Sequence, residues 1–346
     1  MDATTIAVDL AKDVFEIAAA DRAGRLVQRL RLTRRRFERY LETLSPGTEV
    51  VMEACGTAHF WGRRCRALQL APTLLPVQYV RAYVHRNKSD RADAAAILEA
   101  RRCAAIQPVP VKTAAQQVLQ GLHRVRQQWH KTRTARINAV RGLLREQGIP
   151  VALGAATLLR RVGALLVELD GQVPSRLVHL VQGLLAEIRG LEQRIQDLDA
   201  ELAGALAEDP VAARLLSIPG VGVITASALL GSVPHIHQFH RGRQFASWLG
   251  LTPREAASGH RLWRGQISKR GDVYLRTLLI HGARSVLTQA LTRARVGRVP
   301  LTSVQRWVVA LAVRRGFNKA TVALANRLAR VIWAVWRTDQ PYRVAA

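Results

Sequence analysis

The stretch TIAVDLAKDVFEIAAADRAGRLVQRLRL, running from Thr5 to Leu32, decides the fold. It contains three short apolar runs, Thr5–Asp9, residues 14–19 and residues 26–32, and the turn-like Asp21-Arg22-Ala23-Gly24 separates the last two. Gaps this short join only antiparallel neighbours, so a three-stranded meander is expected. Outward from it, residues 33–44 carry helical spacing (Phe37, Tyr40, Leu41, Leu44), and Ser45-Pro46-Gly47 ends that helix. Residues 48–52 read as a strand, 57–68 as a helix and 71–77 as a further apolar run, with two basic helices beyond. A meander followed by αβαβα predicts a mixed sheet with helices packed on it.

That strand order is similar to the ribonuclease H-like, or RuvC-like, fold, and four acids gain meaning in it. Asp9 ends the first strand in an apolar context that gives a surface charge no reason to be there. Glu53 ends the fourth (VVMEACG), and Asp90 and Asp93 stand three apart, on one helix face. In such a sheet the first and fourth strands are neighbours and the last helix crosses near their ends. Carboxylates converging there repel one another unless cations neutralise them. Two Mg²⁺ ions shared with phosphate oxygens do this and drive in-line phosphoryl displacement. The structural alternatives are a strand-end turn acid for Asp9 and a helix N-cap pair for Asp90 and Asp93. Lys12 and Lys88 flank the acids, as phosphate ligands or as ordinary surface lysines.

The whole chain has 346 residues, 52 Lys+Arg against 25 Asp+Glu, and a formal charge of +27. Such a charge calls for a polyanionic partner, and the predominance of Arg over Lys favours phosphates and bases. The strand–helix alternation of the first part, with the charge distribution beyond it, divides the chain into 1–110, 111–209 and 210–346. Residues 114–149 predict one basic helix with the stripe Val118, Leu122, Val125, Trp129, Ile137, Val140 and Leu144. Residues 162–209 are acidic, and Leu177, Val181, Leu184, Ile188, Leu191, Ile195, Leu198 and Leu202 repeat as an a/d seam. The seam predicts a coiled coil and hence a homo-oligomer, or an antiparallel pairing with the basic helix. Residues 211–346 hold 21 Lys/Arg and three acids. No apolar run reaches the roughly 20 residues of a membrane span. No signal peptide is visible, and three cysteines without a CxxC pattern predict a reducing cytoplasm and no zinc.

Two further constellations stand in this last, mostly helical module. Ile218-Pro219-Gly220-Val221-Gly222 before an apolar helix is similar to a helix-hairpin-helix turn, with Gly220 and Gly222 exposing backbone N–H groups to a phosphate. Residues 251–276 (LTPREAASGHRLWRGQISKRGDVYLR) read as a polar, Gly-punctuated loop leading into a helix. Ser258 beside Gly259, ringed by Arg254, Arg261, Arg264, Lys269, Arg270 and Arg276, suits attack on a phosphodiester, although Ser268 is not distinguished from it by residue type. His235, His237 and His240 have a spacing that permits a metal but lack a second cluster.

AVDLAKDVF, MEACG and Lys88-Ser89-Asp90-Arg91-Ala92-Asp93-Ala94 resemble the DEDD catalytic domain of the IS110 group of insertion-sequence transposases. SIPGVGVITA, FASWLG, residues 251–284 and NRLARVIWAVW resemble the group's C-terminal transposase domain, and the length resembles its IS1111 subgroup. The resemblance implies a bacterial, nucleoid-associated recombinase that excises and inserts its element, guided by a structured (bridge) RNA from the element. It also implies Mg²⁺ on Asp9, Glu53, Asp90 and Asp93, and Ser258 as covalent nucleophile. Where the family often shows Ser-Ser-Gly-Gly, this chain has Ala257-Ser258-Gly259-His260. Because acids and serine lie in separate modules, a site assembled between protomers is expected. Two rivals remain: a metal-only nuclease of the Holliday-junction type, without a covalent step, and a non-enzymatic basic nucleic-acid-binding protein.

Overall fold

The first strand, β1 (Thr5–Asp9), pairs antiparallel with β2 (Val14–Ala20), which pairs antiparallel with β3 (Leu26–Thr33). After α1 (Arg34–Glu42), β4 (Glu49–Glu53) returns to lie parallel to β1 on its other side. Then α2 (Ala58–Ala67) leads to β5 (Ala71–Leu75), parallel to β4, and α3 (Val77–Val80) and α4 (Asp90–Arg102) follow. The sheet order β3-β2-β1-β4-β5 is the mixed sheet that the meander foretold. Described in this computed structural model are residues 4–83, 90–152, 154–168, 173–259, 261–297 and 299–343. They fall into two units, Met1–Gln117 and Val118–Ala346.

Both faces of the first unit's sheet are apolar because its central strands are buried on both sides. Ile6, Val8, Phe15, Ile17, Val50 and Met52 face α1 and α2, where Phe15, Phe37 and Trp61 meet edge to face at 4.9–5.4 Å between centroids. On the opposite face Ala7, Ala18, Ala20 and Val51 present small side chains, and α4 packs on them through Ala94, Ile97 and Ala100.

The unit boundary falls inside α5 (Ala114–Glu146). The second unit continues with α6 (Ala155–Glu168) and α7 (Ser175–Gly204), whose shared core holds Ile137, Val140, Leu144, Leu158, Val162, Val181, Leu185 and Ile188. Arg126 pairs with Asp199, Arg133 with Glu192 and Arg136 with Glu187, so α5 and α7 run antiparallel, cationic against anionic. Thus Val181, Ile188, Ile195, Leu198 and Leu202 of the seam are buried within the chain. The expected stripe of α5 holds only in its second half. Val118 is 59% and Val125 39% exposed, whereas His123 is buried, because polar partners described below turn that face inward.

The remaining elements are α8 (Pro210–Leu216), α9 (Val223–Ser232), α10 (Gly242–Trp248), β6 (Pro253–Ser258), β7 (Arg261–Ile267), α11 (Val273–Val296), α12 (Ser303–Arg315) and α13 (Phe317–Thr338). Their core gathers Leu215, Leu229, Phe245, Leu279, Leu287, Val308, Leu324 and Ile332. The segment read as a loop contains a two-stranded antiparallel hairpin: Ser258 pairs with Arg261, and Gly259 after the first strand has φ +54°. Every residue of β6 is exposed, so no apolar alternation advertised the strand. Among the described residues no helix is long and apolar enough to cross a membrane.

Candidate active site

Val8 stands opposite Met52 in the parallel β1–β4 ladder, so the next residues, Asp9 and Glu53, close two neighbouring strands about 4.8 Å apart. Alternation puts them on the face of Ala7 and Val51, the face that α4 covers. The direction of α4 follows from its far end. Arg101 Nε donates to Glu49 Oε1 at 2.7 Å, and Arg102 donates to the Gly24 carbonyl, both at the opposite edge of the strands from Asp9 and Glu53. Asp93, Ile97 and Arg101 form one helical stripe with spacing of four. From Arg101 back to Asp93 the helix spans about 12 Å. From Glu49 to Glu53 the strand spans about 13 Å. Asp93 therefore lies toward the end of the sheet where Asp9 and Glu53 stand.

Asp93 is half-buried, and its Oδ1 is shielded from solvent without a hydrogen-bond partner among the described residues. A buried carboxylate oxygen left bare costs about 1–3 kcal/mol or more, and a cation is what would offset it. Asp9 and Glu53 are also half-buried, at the strand ends. The donor set, hard carboxylate oxygens, fits Mg²⁺ rather than a softer metal. Among the described residues no group of three or more His, Cys, Asp or Glu side chains is closed tightly enough to hold a metal ion. The Asp90 side chain and Lys88 lie outside the described residues, and Lys12 is exposed in the β1–β2 turn.

In the second unit, the three acids of residues 211–346 all have structural partners. Glu255 pairs with Arg264, Asp272 accepts from the Leu275 N–H to cap α11, and Asp339 pairs with Arg214. Ser258 stands exposed at the end of β6, opposite Arg261. Ser268 is half-buried at the hairpin base, where its N–H donates to Thr252 O and its carbonyl accepts from Arg254. Geometry thus separates two serines that residue type left equal. Arg254, Arg261, Arg264, Lys269 and Arg270 are exposed. Arg276, expected among the nucleic-acid contacts, is instead 7% exposed, donating to Leu249 O and Arg270 O at 3.0 and 2.7 Å. It braces the base of the hairpin, since buried guanidinium donors need acceptors and two carbonyls supply them.

The Pro219–Gly222 turn joins α8 to α9. Gly220 (φ +90°) lies against α11: a Cβ on Gly282 would come 2.0 Å from the Gly220 carbonyl oxygen. Gly222 is exposed at the N-cap of α9, with open space around its Cα. His235, His237 and His240 join no metal-binding group among the described residues.

One polar network carried no sequence signal beyond a His in a basic helix. Ser227 Oγ donates to Val223 O at 2.8 Å, so it accepts from His123 Nε2–H at 3.0 Å. His123 Nδ1 then accepts from the Tyr274 hydroxyl at 3.0 Å. Arg126 bonds to that same tyrosine and to Asp199. Burial, aided by Arg126, lowers the His123 pKa from 6.5 to about 4. The network ties α5 to α7, α9 and the first turn of α11, just beyond the hairpin.

Comparison with known proteins finds matches in both halves of the chain. A transposase family model matches residues 6–148, and the model described as "Transposase IS116/IS110/IS902 family" matches residues 212–296. A "Probable family 20 transposase" of Pseudomonas aeruginosa is 40% identical over 99% of this chain and 99% of its own. The transposase for insertion sequence element IS1111A of Coxiella burnetii is 39% identical over 100% of this chain and 93% of its own. That for IS1328 of Yersinia enterocolitica is 35% identical over 96% of each. The chain belongs to the IS116/IS110/IS902 family of transposases, enzymes that cleave and rejoin DNA.

Proposed function

We propose that this transposase exchanges DNA strands under the direction of a guide RNA, through a covalent Ser258–DNA link, with Asp9, Glu53, Asp90 and Asp93 holding divalent metal. What supports the metal site is the shielded Asp93 Oδ1, without a hydrogen-bond partner among the described residues, at the Asp9 and Glu53 end of α4. When bound, Mg²⁺, two per site, supplies charge stabilisation to the phosphate and to the departing oxygen. Ser258 Oγ attacks phosphorus: an Oγ–P bond forms, the P–O bond to one strand segment breaks, and that segment leaves as a hydroxyl. Attack by a strand hydroxyl on the phosphoserine reverses the exchange of bonds and frees Ser258, so bond energy is conserved. Arg261, opposite Ser258, stabilises the negative charge that builds on the phosphoryl oxygens.

Around this chemistry we assign residues 1–110 to catalysis, 111–209 to a helical arm and 210–346 to the transposase module bearing the serine. The exposed N-terminus of α9 at Gly222 supports a helix-hairpin-helix phosphate contact, and Lys12, Arg254, Lys269 and Arg270 are further phosphate ligands. The guide RNA and work on the bacterial chromosome rest on the resemblance in sequence, while the net +27 charge supports a nucleic-acid partner in general. Homo-oligomerisation belongs to the proposal, while the α7 seam, buried against the chain's own helices, lends it less support than the sequence foretold.

Trapping with denaturant decides the chemistry. Wild-type protein with DNA and Mg²⁺ gives a denaturant-stable protein–DNA adduct, and Ser258→Ala gives none while binding DNA as before. An adduct that survives in Ser258→Ala rejects the serine. Cleavage without any adduct points to the metal-only nuclease, and no cleavage at all to a binding protein. Sequencing RNA that copurifies with the protein tests the guide.

A further inference from the structure

The β6–β7 ladder sorts its side chains onto two faces. Directly opposed residues share a face and alternate residues share it too. Ser258 opposes Arg261 and Ala256 opposes Trp263, so these four stand together. Glu255 and Arg264, with Ala257 and Leu262, occupy the other face, where the Arg264–Glu255 pair closes at 3.0 Å.

Trp263 is 65% exposed, unusual for a side chain that normally buries most of its area. Two small neighbours keep it bare. Ala256 opposes it, and a Cβ on Gly265 would come 2.7 Å from the ring's far edge, so the indole lies along its own strand above Gly265. The rest of the indole is open to solvent. Among the described residues of the hairpin the other large exposed apolar side chain, Leu262, is on the opposite face, so the two do not form one apolar patch. Arg261 shares the Trp263 face, and the hairpin and its base carry further exposed cations, Arg254 and Arg270. An isolated aromatic plane among cations is the pattern of single-stranded nucleic-acid binding. Ser258 is its diagonal neighbour, roughly 7–8 Å away along the ladder.

We propose that Trp263 is a stacking platform for an unpaired nucleobase of the DNA strand whose phosphate is presented to Ser258, with Arg261 holding that phosphate. The proposal rests on the reading of Ser258 as nucleophile and adds a substrate class: the strand is unpaired beside the phosphodiester that is cut. DNA is the occupant because the candidate nucleophile for DNA shares this face.

The test uses the full chain and three 20-nucleotide probes: oligo-dT, an abasic DNA strand of the same charge, and oligo-U RNA. Wild type is expected to bind oligo-dT at least about five-fold tighter than the abasic strand. Trp263→Ala should lose five-fold or more on oligo-dT, keep its abasic affinity and keep the salt dependence set by its phosphate contacts. Trp263→Phe, which retains a ring, should keep most of the preference. An unchanged oligo-dT to abasic ratio in Trp263→Ala overturns the proposal. So do a larger loss on oligo-U than on oligo-dT, which gives the ring to RNA, a change of oligomeric state with unchanged binding, which gives it to protein, and equal losses on every probe, which mean a disrupted hairpin. Ser258→Ala should leave all these ratios intact, so an adduct that survives that substitution would sink the nucleophile without touching the platform.

Discussion

At the scale of single residues, a buried polar group is either partnered or costs stability. Asp93 has a shielded carboxylate oxygen with no hydrogen-bond partner among the described residues, an arrangement that costs stability. Asp93→Asn removes the charge at nearly the same volume. It is expected to leave the thermal midpoint unchanged or to raise it by a few degrees, about 1 kcal/mol of stability. DNA cleavage should fall at least a hundred-fold, as for a transition-state electrostatic contact. A large fall in midpoint would instead make Asp93 a structural anchor. His123 gives the opposite case, a buried group fully partnered. Its folded pKa, about 4, lies below the 6.5 of the unfolded chain. As pH drops from 6.5 to about 4, the unfolded chain takes up a proton that the folded one refuses, and stability falls across that window by on the order of 3 kcal/mol. Urea midpoints at pH 7 and pH 5 check this. His123→Gln should be less stable at pH 7 and lose less on going to pH 5; parallel losses in both proteins would remove His123 from the acid response.

Elements show which signals a sequence carries. The five-stranded sheet was legible because its central strands are buried on both faces, which writes runs such as TIAVD and EVVME, and because short gaps force the meander. Asp9 and Glu53 were legible as charges closing such runs. The hairpin was not, since PREAAS lies wholly in solvent and burial imposed no alternation on it. The first half of α5 misled, because its inward residues include His123 and Arg126, chosen for hydrogen bonds rather than apolarity. The α8–α9 turn was read for phosphate contact, yet its Gly220 also answers to packing on α11. Hence Gly282→Ala, favoured by about 1 kcal/mol of helix propensity, should still destabilise the protein. Its methyl group would come 2.0 Å from the Gly220 carbonyl, and overpacking of this kind costs about 1–3 kcal/mol or more. A lower urea midpoint with unchanged slope is the expected result, and a raised midpoint would show that the turn does not pack as described.

For the whole molecule, charge sets the conditions of assembly. Each chain carries +27, and the α7 seam that could have bridged two copies is buried against the chain's own helices. Two such chains repel unless a polyanion lies between them, so nucleic acid is the expected glue of any oligomer. Sedimentation at low salt should find monomers in nuclease-treated protein and larger assemblies once nucleic acid is restored. Mixing two inactive variants then asks whether protomers pool their groups. Asp9→Asn keeps Ser258 and Ser258→Ala keeps the acids, and neither should exchange strands alone. In an equal mixture that forms symmetric dimers, about half the dimers are mixed, and each has one of its two sites intact if acids and serine come from different protomers. About a quarter of wild-type activity should then return, and only when nucleic acid is present to draw the chains together. No recovery, in a mixture shown by sedimentation to have exchanged subunits, would mean that each protomer cuts with its own acids and its own serine.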